Sequence, residues 1–299
     1  MRDVKLERVI EFLRYRIVAY AFSLILFALL VTGTIINGGI NWGIDFVGGV
    51  KLIARFEKNV DIAKIRDVLS TNDIHAMVQN IGTGVKNEYI ISTKLLGKGE
   101  SSEKSYEILK KVLGDNFKTI EYLSVETVGP AIGDFLKREA AKLFSIALIM
   151  MLLYLSFRFE VKYAMGVIVA LVHDISLSLA FCGLLQLEID IPVIAALLTI
   201  FGYSANDTIV VFDRVRENVQ IKSKQTFLEI IDRSISQSMS RTLLTSLTTL
   251  FAVFALYMLG GDVINDFALT LLFGIVIGTY STLYIASPVV LAWERFSSK

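Results

Sequence analysis

The chain has 299 residues, 54% of them apolar and 20% charged, with a mean hydropathy of +0.59. Soluble domains average roughly 45–50% apolar, so the composition excludes a disordered chain and argues against an ordinary soluble enzyme. Thirty basic against 29 acidic residues leave a net charge of +1, so no overall field draws nucleic acid and no such partner is expected. Cys182 is the single cysteine, and it stands inside an apolar run. No intramolecular disulfide is possible, and one cysteine with two histidines argues against a His/Cys metal site.

Spanning a bilayer takes about 20 predominantly apolar residues. Six stretches qualify: Ile17–Ile36, Ala140–Phe157, Tyr163–Leu185, Ile191–Phe212, Thr242–Leu259 and Phe267–Trp293. The predicted class is therefore a polytopic α-helical membrane protein with six transmembrane helices. Lys142 lies near one end of the second stretch, where its stem can snorkel. The first run is longer than a usual signal core and no Ala-x-Ala site follows it, so a retained anchor is expected.

Basic residues set the expected orientation. Arg2, Lys5, Arg8, Arg14 and Arg16 precede the first span, and Arg158 and Lys162 separate the second from the third. Arg214, Arg216, Lys222, Lys224, Arg233 and Arg241 lie in 213–241, and Arg295 and Lys299 in the tail. The short loops 186–190 and 260–266 carry no Lys or Arg. Both termini are expected in the cytoplasm of a cell-membrane protein, with 37–138 outside. Three regions result: 1–36, the N-terminus and first helix; 37–138, an extracytoplasmic domain; and 139–299, a five-helix bundle with a cytoplasmic segment 213–241.

Within 37–138, Val50–Phe56 alternates as a half-buried strand. Asp61 precedes Ile62, Ile65, Val68 and Leu69, an N-capped helical spacing. Ile74–Ile81 and Glu88–Thr93 read as strands joined by a turn with Gly82 and Gly84. Ser101 and Ser102 precede a helix around Tyr106–Leu113, which Gly114 is expected to stop, and Phe117–Val128 alternates again. The order β-α-β-β-α-β predicts one ferredoxin-like α+β domain. It carries no catalytic constellation, and His75 reads as an ordinary residue of it.

Ionisable groups inside spans are expensive and mark pathways for ions or protons. Asp207 stands in the polar cluster 202–208, with Tyr203 one turn before it and Asn206 beside it. Arg241 begins the fifth span, and Thr245 and Thr248 share its face. It can pair with Asp207 if the two helices are neighbours, or serve only as a membrane anchor. His173 and Asp174 lie near the middle of the third span. They could relay protons or bond helix to helix. Gly274 and Gly278 form a small-xxx-small pattern for close helix packing. No Gly-x-x-x-x-Gly-Lys-Ser/Thr loop is present, so nucleotide bound here is not the expected energy source, and no enzymatic activity is expected.

Several motifs in the same order resemble the SecF family of protein-export membrane subunits. They are Gly43-Ile44-Asp45-Phe46-Val47-Gly48-Gly49, Val128-Gly129-Pro130-Ala131-Ile132-Gly133, His173-Asp174, the run from Gly202 through Asn206-Asp207-Thr208 to Asn218, Ser240-Arg241-Thr242-Leu243-Leu244-Thr245-Ser246, and Gly278-Thr279-Tyr280-Ser281. The resemblance implies half of a resistance-nodulation-division-like membrane assembly. A SecD-like subunit would supply the other half, with the Sec translocon channel and a translocating preprotein as further partners. It implies no cofactor, and a proton or sodium gradient as the energy source. It maps the ion pathway onto Asp207 and Arg241, with Asn206, Tyr203, Asp174 and Thr245 expected around them. It also marks Gly43, Asp45, Phe46, Gly48 and Gly49 as a signature at the entrance to the external domain. Two other readings stay open. One is an assembly subunit whose polar residues only hold helices together; the other is a small-molecule or lipid exporter of the same superfamily.

Overall fold

A computed structural model describes residues 9–57, 60–81, 87–96, 101–117, 119–221 and 225–297. The basic residues Arg2, Lys5, Arg8, Lys222, Lys224 and Lys299 and the expected turn glycines Gly82 and Gly84 lie outside the described residues.

A 3-10 turn, Phe12–Tyr15, leads into α1, Arg16–Ile36. A one-turn helix α2, Ile44–Val47, precedes strand β1, Gly49–Phe56. Then follow α3 (Ile62–Thr71), β2 (Ala76–Asn80), β3 (Glu88–Lys94), α4 (Ser102–Asn116) and β4 (Ile120–Val128). The membrane part continues with α5 (Pro130–Arg158), α6 (Val161–Leu184), α7 (Ile191–Gln220) and α8 (Phe227–Leu259). It closes with α9 (Asp262–Ser281), a π turn Thr282–Ala286 and α10 (Ser287–Ser297). Among the described residues, six helices are long and apolar enough to cross a membrane.

The sheet is antiparallel in the order β2-β3-β1-β4, the ferredoxin-like arrangement. One face is apolar: Val50, Leu52, Ala54 and Phe56 alternate inward onto Ile65 and Leu69 of α3 and Leu109 and Leu113 of α4. On the other face Arg55 fixes the register. It bridges Glu88 on β3 and Glu121 on β4, each its direct cross-strand partner, at 2.6–2.7 Å. Asp61 and Ser101 cap α3 and α4 by accepting from Ala63 N–H and Lys104 N–H. Gly114 does not stop α4. The helix passes through it to Asn116, whose side chain donates to Val112 O, while Phe117 N–H closes on Leu113 O.

Two helices run further than their apolar stretches. α5 starts at Pro130, with Pro in the first turn where its missing N–H is harmless, so residue 138 lies inside a helix. α8 starts at a capping box. Thr226 Oγ1 accepts from Glu229 N–H at 3.3 Å, and Glu229 accepts from Thr226 N–H at 2.7 Å. The segment 213–241 is therefore largely the ends of α7 and α8, and Arg241 sits about four turns inside α8 rather than at its start.

The sheet domain should fold by itself, since its core is closed by its own residues. Residues 49–128 expressed alone should give a mixed α/β circular dichroism spectrum and one cooperative melt. Ile91→Ala, which empties a fully buried site, should lower the stability of that fragment by about 2–5 kcal/mol. A random-coil spectrum from the unmutated fragment would refute the claim.

Candidate intramembrane ion site

Small residues let α7 and α9 approach closely. A Cβ on Gly274 would collide with the Ile200 side chain, and one on Gly278 would stand 3.1 Å from Ser204 Cβ. α6 packs on both helices. Asp174 of α6 is fully buried at the centre of this trio. Its Oδ2 accepts from Ser204 of α7 at 2.6 Å and from Ser281 of α9 at 2.7 Å. Its Oδ1 lies 2.8 Å from His173 Nδ1.

The network then reaches α1. His173 Nε2 lies 3.2 Å from Ser23 Oγ, and Ser23 Oγ lies 3.0 Å from the Tyr280 hydroxyl. Tyr280 donates its one proton to Ala19 O at 2.7 Å. Ser23 must then donate to Tyr280, and His173 Nε2 must donate to Ser23. One further proton, on His173 Nδ1 or on Asp174 Oδ1, completes the chain between the two side chains. The carboxyl of Asp174 is thereby matched by one imidazole and two hydroxyls.

Asp207 is placed differently. It is buried, 4% exposed, one turn beyond Ser204 on α7. Among the described residues its one side-chain hydrogen bond is a long one, accepted from Ser246 Oγ of α8 at 3.4 Å. Ser246 also shares a 2.8 Å hydrogen bond with Thr279 of α9. Arg241 makes no ion pair with Asp207 and turns its side chain outward, yet it is near enough to act on Asp207 by charge. Asn206 is exposed on the outer face of α7. The Tyr203 hydroxyl is buried without a hydrogen-bond partner among the described residues. The Thr245 hydroxyl donates within its own helix, toward Arg241 O and Thr242 O, and makes no hydrogen bond to Asp207. The structure thus brings Asp207 together with Ser246 and, through it, Thr279, both of which stand in the quoted motifs but were not among the expected pathway residues, and leaves Arg241 and Asn206 on the rim.

The segment 43–49 forms the joint between bundle and sheet domain. Gly43 N–H donates to Ile189 O at 2.8 Å, and Ile189 N–H to Asn41 O at 2.9 Å. Asp45 Oδ2 accepts from Ile191 N–H at the start of α7. Phe46 is buried beside Cys182, Ile189 and Val193. Gly48 has φ +83, and a Cβ there would stand 3.0 Å from Val128 O. A Cβ on Gly49 would strike Thr93 O, so both glycines are required by close backbone approach. A second tie comes from α9, where Asp262 Oδ2 accepts from Asn80 N–H of β2 at 3.0 Å.

Acidic groups crowd this joint. Asp190 caps α7 by accepting from Val193 N–H at 2.9 Å. Burial, aided by the charges of Asp45 and Asp266, pushes its carboxyl up to about 6 against the relief from Val193 N–H and Lys51. Burial, with the charge of Asp190, also raises Glu188. A carboxyl raised from 3.8 to about 6 binds its proton more tightly when folded. Its contribution is complete below pH 3.8 and is lost as the pH climbs through about 6. The melting temperature of the detergent-purified chain should fall over that window. Asp190→Asn keeps a good cap and should flatten the decline, as read by thermal scans at stepped pH. An unchanged slope in the variant would show that Asp190 is not its source.

Comparison with known proteins follows the same outline. The family model "Protein export membrane protein SecD/SecF, C-terminal" matches residues 108–296, and the SecD/SecF GG motif matches 34–60. The chain is 41% identical over 289 residues to the protein translocase subunit SecF of Vibrio alginolyticus, covering 96% of this chain and 91% of that one. It is 38% identical to SecF of Rickettsia typhi, covering 97% and 94%. The crystal structure of SecDF, a translocon-associated membrane protein from Thermus thermophilus, superposes with a TM-score of 0.80 at 37% identity. That match covers 98% of this chain and 40% of the longer SecDF chain.

Proposed function

The chain belongs to the SecD/SecF family of protein-export subunits and resembles its SecF members over nearly their whole length, and from that premise we propose that it works with a SecD-like partner, using an ion gradient, most simply of protons, to promote preprotein movement through the Sec channel. The observation that carries the proposal is the contrast between two buried carboxyls. Asp174 is enclosed by partners on three sides. Asp207 has one long bond and lies beside an outward-facing arginine. A tightly matched carboxyl holds helices; a loosely held one can exchange a proton.

The outer face of α7 supports a membrane partner. Ala195, Thr199, Gly202 and Asn206 recur at helical spacing and are all exposed, with Arg241 also facing outward. Lipid tails cannot satisfy an amide or a guanidinium. A second bundle laid on this face would cover both. In Thermus thermophilus a single SecDF chain contains the matching part, which fits a SecD-like neighbour here. Both termini would lie in the cytoplasm and the sheet domain outside, as the loop charges favour.

Energetically, one charge crossing the membrane gains about 2.3 kcal/mol per 100 mV. At ~150 mV that is on the order of 3–4 kcal/mol, enough to bias a two-state change some hundreds-fold. Coupling requires the site to change its proton affinity between the states. An approaching guanidinium stabilises an ionised carboxylate, and an apolar surrounding stabilises the neutral acid. Movement of Arg241 toward and away from Asp207 would thus release and reload the proton. The motion would reach the sheet domain through the 43–49 joint.

Asp207→Asn and Arg241→Met should each abolish gradient-dependent export in vesicles while leaving insertion and partner binding intact. Asp207→Glu should retain part of the activity. Asp174→Asn should instead lower the recovery of assembled complex, because an amide offers one acceptor oxygen where the carboxyl uses two to meet three groups. Export at the wild-type rate by Asp207→Asn, with the gradient intact, would leave the assembly role as the better reading.

A further inference from the structure

A cavity of about 560 Å³ opens at the end of the bundle where α1 begins and α10 ends. Its wall comes from two helices far apart in sequence: Arg16 and Tyr20 of α1, and Pro288, Leu291, Ala292 and Arg295 of α10. α1 packs on the π turn just below, and the groove opens beyond it. Pro288 cannot donate a backbone hydrogen bond, and the π turn precedes it, with Ser287 Oγ donating to Thr282 O at 2.9 Å.

The lining is amphiphilic in a definite order. Two guanidiniums stand at the outer end, each at the terminal turn of its helix. Leu291 and Pro288 form an apolar floor toward the bundle, and Tyr20, 40% exposed, forms one side. Arg16 gives an N–H to Leu13 O at 3.1 Å, which fixes its stem. Among the described residues, no Asp or Glu lines the cavity. Arg295 also borders the neighbouring cavity, which Glu11, Glu229 and Asp232 line, and Asp232 meets the charge of Arg16 from there. Exposed aromatics set the depth: Tyr15, Trp293 and Phe296, the last 81% exposed, ring this end of the bundle. Aromatic side chains gather at the level of lipid headgroups.

We propose that this groove is a binding site for one anionic phospholipid. Its phosphate lies between Arg16 and Arg295, and its acyl chains run down past Tyr20 and Leu291. A zwitterionic lipid brings a compensating cation to the same place and gains less. The site clamps the outer turn of α1 to α10, beside the turn 12–15 whose Leu13 N–H is held by Asp232 of α8 at 2.9 Å.

Each basic residue near an anionic lipid surface contributes about 1 kcal/mol, so two give a preference on the order of 30-fold. The full chain should be reconstituted in vesicles of equal phosphatidylglycerol and phosphatidylethanolamine, extracted in mild detergent, and weighed by native mass spectrometry. The wild type should retain phosphatidylglycerol in preference to phosphatidylethanolamine, and millimolar inorganic phosphate should not displace it. The double variant Arg16→Gln/Arg295→Gln should lose the preference. Ala292→Trp, which fills the groove and keeps both charges, should lose the bound lipid. Arg14→Gln, on an exposed side chain outside the groove, should behave as wild type. Equal retention of the two lipids by the wild type overturns the proposal. So does undiminished phosphatidylglycerol in Ala292→Trp, even if the double variant fails to fold. Displacement by inorganic phosphate would assign the site to a free anion instead.

Discussion

A polar group inside a bilayer has no water to fall back on, and Asp174 is where this chain meets that constraint most fully. The carboxyl is out of reach of solvent, so its partners must come from the protein. They come from α7, α9 and the adjacent His173, and through Ser23 the network extends to α1. Four helices are thus held in one register by groups that become costly if any one withdraws. Breaking such a buried, multiply connected set costs more than any single hydrogen bond contributes. The small residues Gly274 and Gly278 make the close approach possible, and Asp174 makes it specific.

This rigid centre gives Asp207 its setting. It lies on the same helix as Ser204, one turn on, and its one side-chain hydrogen bond among the described residues is with Ser246 at 3.4 Å. A stiff helix carrying a loosely held carboxyl, beside a rim of Asn206 and Arg241, can change state without loosening the core. At the other end of α7 the helix begins under Asp190 and touches Asp45 of the joint. One continuous helix therefore runs from the base of the sheet domain to the buried carboxyl. Gly48 and Gly49, both tight against strand backbone, make the joint a close mechanical connection instead of a tether.

The sequence made much of this legible, for physical reasons. Long apolar runs have few alternatives to spanning helices, and the alternation of Val50–Phe56 leaves one face to bury. The split β-α-β-β-α-β order leads to the observed sheet. Other features depend on packing that no local pattern encodes. Gly114 resembled a helix stop, but the capping contacts of Asn116 and Phe117 lie beyond it. The apolar run of the fifth span begins at Thr242, so Arg241 looked terminal. The Thr226/Glu229 capping box was present in the sequence and would have placed the true start. Thr245 shares a helix face with Arg241 by spacing, yet the hydroxyl that bonds Asp207 is that of Ser246. One residue turns a helix by about 100°, and only the crossing of α7 and α8 decides which face meets which. Ser23 and Tyr280 could not be joined to His173 without knowing that α1 and α9 flank α6.

The central claim is that Asp207, unlike Asp174, exchanges a proton with the gradient. The direct measurement is proton uptake by vesicles holding this chain with a SecD-like partner, a translocating preprotein and an entrapped pH indicator. Under an imposed membrane potential the wild type should acidify the lumen as export proceeds. Asp207→Asn, still assembled, should reduce uptake to the level of empty vesicles. Unchanged uptake in that variant would contradict the account and place the exchanging group elsewhere.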